Sequence, residues 1–276
     1  MLRLLSIEFH KLKHNRASKA LSIIYFALLT SIALIAAIKF DIGPIKFHLA
    51  EQGIFNFPYI WHFNTFIAAF LKFFLLLVIV SMMANEYSYK TLKQNLIDGL
   101  SKKEFILSKF YTVVVFALIS TLFIFIVSLI LGAIYSDFNE ISIIFSDLKY
   151  LFAYFIKLIG FFSMGLFFGI LIKRSAFAVG AIIVFFFLEF FSYLYLASKM
   201  SKEFADDIYQ FLPFKSMWNL LDEPFTRLGA VKSVASQIGE NFTKDYSVGL
   251  LNIIIVLFWT AVFIYASYFL LKKRDL

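Results

Sequence analysis

The chain has 276 residues, of which 61% are apolar and only 16% charged, with a formal net charge of +8 and no cysteine. A soluble domain of this length has no interior large enough to hide that much apolar surface, so the composition excludes an ordinary globule and makes lipid the better solvent. The absence of thiols excludes disulfides, thiolate metal sites, cysteine nucleophiles and lipid attachment through sulfur.

In residues 1–19, Leu2, Leu5, Phe9 and Leu12 recur at helical spacing while Arg3, Lys11, Lys13 and Arg16 lie elsewhere. This pattern predicts a basic amphipathic helix in the membrane plane, feeding the first span. Its charged part and the apolar run behind it are both too long for a cleavable signal peptide. His10 and His14 stand four residues apart, a spacing that can hold a metal. Glu8 is the one further ligand nearby, so interfacial histidines close to lipid phosphate are expected and no metal site.

Crossing the hydrocarbon core takes about 20 apolar residues. Six segments meet this: 20–38, 65–84, 111–135, 151–172, 175–198 and 248–271. The first, third and sixth contain no charge. The second holds Lys72, the fourth Lys157 and the fifth Glu189. Lys173 and Arg174 alone join the fourth to the fifth, which forces a tight helical hairpin. Gly165 and Gly169 form a small-xxx-small step, suited to close packing within one subunit. The loop at 85–110 is too long for a plain turn. Leu92, Leu96 and Ile97 make a short apolar stripe, Asp98-Gly99 breaks it, and Ser101 with Glu104 forms a capping-box pattern for a second short helix. In the loop at 199–247, Pro213 and Pro224 divide two or three short amphipathic helices, with Phe211, Trp218 and Phe225 as membrane anchors. That loop either covers the helix ends or gates a substrate.

Orientation follows from the short loops. Arg3, Lys11, Lys13, Arg16 and Lys19 precede the first span. Lys90, Lys93, Lys102, Lys103 and Lys109 follow the second, and Lys272, Lys273 and Arg274 end the chain. The opposite side offers Lys39, Lys46 and Lys149, while the long loop balances six basic against seven acidic residues. Both termini are therefore expected in the cytoplasm, and the basic charge reports topology and anionic lipid, not nucleic acid. Lys72, Lys157 and Glu189 then share a depth of about 9–14 Å below the outer boundary. Three readings stay open for them: lysines snorkelling to the headgroups, a Lys157–Glu189 pair across the hairpin, or a lining of the substrate path.

With these segments in place, the chain resembles the membrane subunit of a type-2 ABC exporter, a six-span permease that works with a separate ATPase. Glu8, Lys11, Lys13 and Arg16 match the family's amphipathic start. Glu86, Thr91-Leu92, Gly99, Ser101-Lys102 and Lys109 match in order the motif that comes after the second span. Lys90 departs from it, because the family usually has glycine before the threonine, and Leu100 stands where proline is common. The resemblance implies that residues 86–109 are the coupling segment seated on the ATPase, with Glu86, Thr91, Gly99, Lys102 and Lys109 as its coupling residues. It also implies a dimer of two permease chains, identical or homologous, in a bacterial inner membrane.

No G-x-x-x-x-G-K-[ST] occurs, so ATP and magnesium would sit on the partner and this chain would hold no cofactor. An intramembrane protease would need H-E-x-x-H, a G-x-S-G serine with its histidine, or paired span aspartates, and none is present. An ion-coupled secondary transporter should show inverted repeats and broken helices, yet no span contains proline. A non-transporting scaffold is compatible with the topology. The reading favoured by the residues is an all-α polytopic permease, one transmembrane domain over 1–276, exporting an amphipathic or lipid-like substrate.

Overall fold

In the computed structural model, residues 2–35, 39–42, 45–48, 53–228, 231 and 244–274 are described. The amphipathic start is α1, Leu2–His14. Asn15 breaks the chain and its side-chain oxygen accepts from the Ser18 amide at 3.0 Å, opening α2, Arg16–Ile35. This helix covers the first expected span up to Ile35; residues 36–38 lie outside the described set.

The first loop adds one short hairpin to an otherwise helical chain. Strands β1, Lys39–Ile42, and β2, Ile45–His48, pair antiparallel with Lys39 opposite His48 and Ile42 opposite Ile45. Polar and apolar residues alternate through both segments, the period of a strand, and the sequence between them is Gly43-Pro44.

Helix α3, Tyr59–Ser88, starts six residues before the predicted span and places His62 in its first turn. Helix α4 is Thr91–Ile97 and α5 is Lys102–Tyr135. The capping box at Ser101 and Glu104 is present, but it opens the 34-residue α5 directly; there is no separate second short helix. After the box no glycine or proline occurs until Gly132, so nothing stops the helix once it has started. After α6, Ile141–Ile144, come α7, Lys149–Ile172, and α8, Ser175–Lys199. Lys173 turns the chain between them in the left-handed region at φ 65°. The long loop gives α9, Lys202–Tyr209, α10, Pro213–Trp218, and a 3-10 turn at Phe225–Arg227. Its stretch 232–243 lies outside the described residues. Helix α11, Leu250–Lys273, closes the fold.

Among the described residues five helical segments are long and apolar enough to cross a membrane, namely α3, α5, α6 with α7, α8 and α11. The chain is a multi-pass membrane protein. Helix α7 is its axis, packed against α3, α5, α8 and α11. Gly165 and Gly169 let α3 approach closely: an added Cβ would lie 2.4 Å from Leu76 Cδ1 at the first position and 3.0 Å from Met83 Cβ at the second. The small-xxx-small step therefore serves packing inside one chain. Helix α8 is the opposite case, with Phe187, Leu188 and Phe191 exposed along its outer face. The bundle has two ends: one gathers α1, α4, the α7–α8 turn and the close of α11, the other gathers α6, α9 and α10.

A candidate coupling site at the α4 end

Helix α1 carries Glu8 and Lys11 one turn apart, and it is held down by Leu12, which is buried, and by Phe9, whose ring lies 5.8 Å from that of Phe116 on α5. Glu8 is thereby turned inward and is 2% exposed. Helix α3 delivers Glu86 from its last turn. The chain then reverses at Lys90, which adopts φ 56° and ψ 18°, a left-handed conformation that glycine enters freely and a lysine does not. A glycine at this position would adopt the same conformation without the cost that Lys90 carries.

Helix α4 comes immediately after, docked through buried Leu92. It ends in a Schellman arrangement: the Gly99 amide donates to Leu96 and the Leu100 amide to Asn95 at 3.0 Å, with Gly99 at φ 96°. Gly99 thus has a backbone role. Ser101 and Glu104 then cap α5, and Lys109 comes two turns further on.

These elements converge on one ionic cluster. The Lys109 ammonium, wholly buried, donates to Glu8 Oε2 and to Glu86 Oε1, each at 2.5 Å. Lys11 donates to the same Glu86 oxygen at 2.8 Å and stands 3.7 Å from Glu8 Oε1. The second Glu86 oxygen accepts from the Thr91 hydroxyl at 2.5 Å and from the Asn95 amide at 3.4 Å. Two carboxylates face two ammoniums, so the cluster is formally neutral. It fastens α4 to α1, α3 and α5, and cavities of about 750 Å³ and 480 Å³ flank it on either side of α1.

Glu86, Thr91 and Lys109, singled out from the sequence, are therefore brought together. Gly99 stays at the helix end. Lys102 is elsewhere, donating to the carbonyls of Lys272 and Arg274 beside the end of α11. Arg274 in turn donates to Tyr87 and to the carbonyls of Ile170 and Leu171. Sequence reasoning counted Arg274 only as topological charge and passed over Asn95. For Asn95 the signal was present: it lies one helical turn after Thr91, on the same face. For Arg274 there was none. His14 Nδ1 faces the His10 carbonyl at 2.8 Å, and among the described residues no three His, Asp or Glu side chains gather as a metal would require.

The intramembrane charges lie toward the other end and do not pair with one another. Glu189 accepts from the backbone amides of Phe214 at 3.0 Å and Lys215 at 2.7 Å, so both its oxygens cap α10. No Lys157–Glu189 bridge forms, because α10 offers the carboxylate two N–H donors at shorter reach. Lys72 donates to the Ala69 carbonyl at 2.8 Å, and Lys157 lies 5.7 Å from the Trp218 ring. Above them the 3-10 turn is pinned by Arg227, which stacks on Tyr59 and donates to Tyr150 and to Nδ1 of His62, whose Nε2–H points at the Asp222 carbonyl.

Residues 4–192 match the family model described as ABC-2 family transporter protein. No curated protein matches the chain.

Proposed function

The chain belongs to the ABC-2 transporter family, and on that premise we propose that it is the permease subunit of an ATP-driven exporter, seated on its ATPase through residues 86–109. The family is a membrane transport component, not a hydrolase itself, and implies an ATP-binding partner. One observation carries the placement of the seat. A seven-residue helix at the bundle end, too short to be stable alone, is welded through Glu86 to Lys109 and Lys11, so a force on α4 reaches three long elements at once. ATP-driven closure of the ATPases would push this helix and reopen the cavity between two permease chains on the other side of the membrane.

In this reading α2 is a sixth crossing, both termini face the cytoplasm, the host is the bacterial inner membrane, and Lys72, Lys157 and Glu189 lie in its outer half. The cargo is amphipathic or lipid-like. ATP and magnesium bind the partner subunit.

The absence of native cysteine gives a direct test. A single cysteine placed at exposed Ile97 should crosslink to the co-expressed ATPase and resist an impermeant maleimide added from outside the cell. Labelling from outside, or efficient crosslinking from Phe211 in place of Ile97, would overturn the assignment.

A further inference from the structure

Between α3, α7, α8 and α10 lies a cavity of about 430 Å³ lined by Lys72, Lys157 and Lys215. Its volume is in the usual range for small-molecule sites, about 300–1,000 Å³. The walls are aromatic: Phe161 lies 4.8 Å beneath the Lys72 ammonium, and Trp218 and Phe186, both half exposed, form a rim on the outer face of the bundle. Lys157 is 3% exposed. Among the described residues no carboxylate lies within salt-bridge distance of Lys72 or Lys157, and the Lys157 ammonium has no hydrogen-bond acceptor.

A snorkelling lysine ends in the headgroup layer. Here α10 is laid across that exit and Glu189 locks it in place, so the ammoniums end inside the cavity instead. The same two hydrogen bonds engage the one carboxylate on this part of α8, so it does not serve the lysines as a counterion. Ammonium groups held in an apolar enclosure need an anion to be worth their cost. The aromatic rim leaves room for an apolar chain.

We propose that this cavity binds an anionic amphiphile, its phosphate or carboxylate head between Lys72 and Lys157 and its apolar chain leaving past Trp218 and Phe186. The site stands on these contacts; that its ligand is the cargo rests on the export reading above. Lys157 and Lys72 read the charge, and the rim reads the chain.

The test uses the purified chain without ATPase, in phosphatidylcholine nanodiscs, so its failure is separate from failure of the export reading. Radiolabelled dodecyl phosphate should bind saturably above empty discs, and dodecyl maltoside should not compete. Loss of one charge-assisted contact in Lys157→Met or Lys72→Met should weaken binding by about tenfold or more. Neither change strands a carboxylate, so both variants should fold. If they do not, ligand should still shield the wild-type lysines from reductive methylation, and failure to shield them overturns the proposal. Undiminished binding in Lys72→Met/Lys157→Met also overturns it, as does competition by inorganic phosphate as strong as by dodecyl phosphate. Phosphatidylglycerol in the discs separates the sources. Displacement identifies a lipid headgroup as occupant, lack of displacement a non-lipid amphiphile, and both outcomes sustain the anion site.

Discussion

Lys109→Met tests the ionic cluster most directly. The substitution keeps the length and apolar stem of the side chain and removes only the ammonium. Glu8 and Glu86, whose side chains are each 3% exposed, are then left with Lys11, which is 31% exposed and contacts Glu8 only at 3.7 Å. Each lost contact at 2.5 Å is worth about 7 kcal/mol gross at an effective dielectric near 20, and most of that offsets the desolvation of the three groups. The net cost of stranding the carboxylates is about 3–5 kcal/mol. Removing the three buried charges in Glu8→Gln/Glu86→Gln/Lys109→Met leaves without a partner only Lys11, which is partly exposed, and should cost less than Lys109→Met alone. The assay is equilibrium unfolding in mixed micelles with increasing ionic detergent, tracked by tryptophan fluorescence. Glu86→Gln and Lys109→Met should couple by at least about 1 kcal/mol in a double-mutant cycle. If Lys109→Met unfolds within about 0.5 kcal/mol of wild type, or the two changes simply add, the cluster does not hold the helices together.

Single positions give further expected outcomes. Lys90→Gly should stabilise the chain by up to about 1 kcal/mol in the same unfolding assay, since it removes a side chain from a left-handed backbone; a loss of stability would refute the role given to that turn. Gly132→Ala should destabilise by about 1–3 kcal/mol, because its Cβ would meet the buried Phe57 ring at 2.2–2.8 Å; Phe57→Leu in the same chain should recover part of the loss. Burial pushes the Glu223 carboxyl up, but the Thr226 hydroxyl and amide and the Lys244 ammonium together hold it below its ordinary value. A carboxyl depressed in the fold contributes stability that is complete above its unfolded pKa and is lost as pH falls through the folded one. Protection of the Thr226 amide from hydrogen exchange, corrected for intrinsic rate, should therefore fall as the pH drops below the ordinary carboxylate range. Glu223→Gln should abolish that dependence.

The long helices were legible because apolar runs of span length have few other uses, and all five described crossings coincide with segments expected to cross. Their ends were not legible, since α3 and α5 continue into polar sequence where tertiary contacts, not hydropathy, sustain the helix. The capping box was readable as local chemistry, but the length of the helix behind it was decided by the apolar run from Phe110 onward, which carries no breaker. Glu86, Thr91 and Lys109 could be named from order along the chain, whereas their meeting with Glu8 depends on how α1 folds back over α5, which no spacing encodes. The Lys157–Glu189 pair illustrates the same limit. Equal height on adjacent helices is a fair expectation, yet α10 intrudes between the partners, and its position depends on long-range packing.

In the export reading, these contacts also determine which parts can move relative to one another. Helices α3 and α5 are tied at the α4 end by Glu86 and Lys109, and toward the far end by Asn64 donating to Ser128 at 2.9 Å, by the Phe57 amide donating to Ser136 at 3.1 Å and by Asn56 donating to Asp137 at 3.0 Å. Helix α5 spans about 51 Å without a proline, so it transmits a push rather than absorbing it. A displacement of α4 therefore carries α3 and α5 together, and the boundary that opens cannot run between them. Helix α7 is bound to α3 by the glycine contacts and moves with the same body. Helix α8 has three buried residues along its length, one of them Glu189, which holds the cap over the lysine cavity. Among the described candidate spans α8 is the least buried, so the loosest seam between them is the one around it. A stroke begun at α4 would be felt there as a change in how tightly α10 covers Lys72 and Lys157.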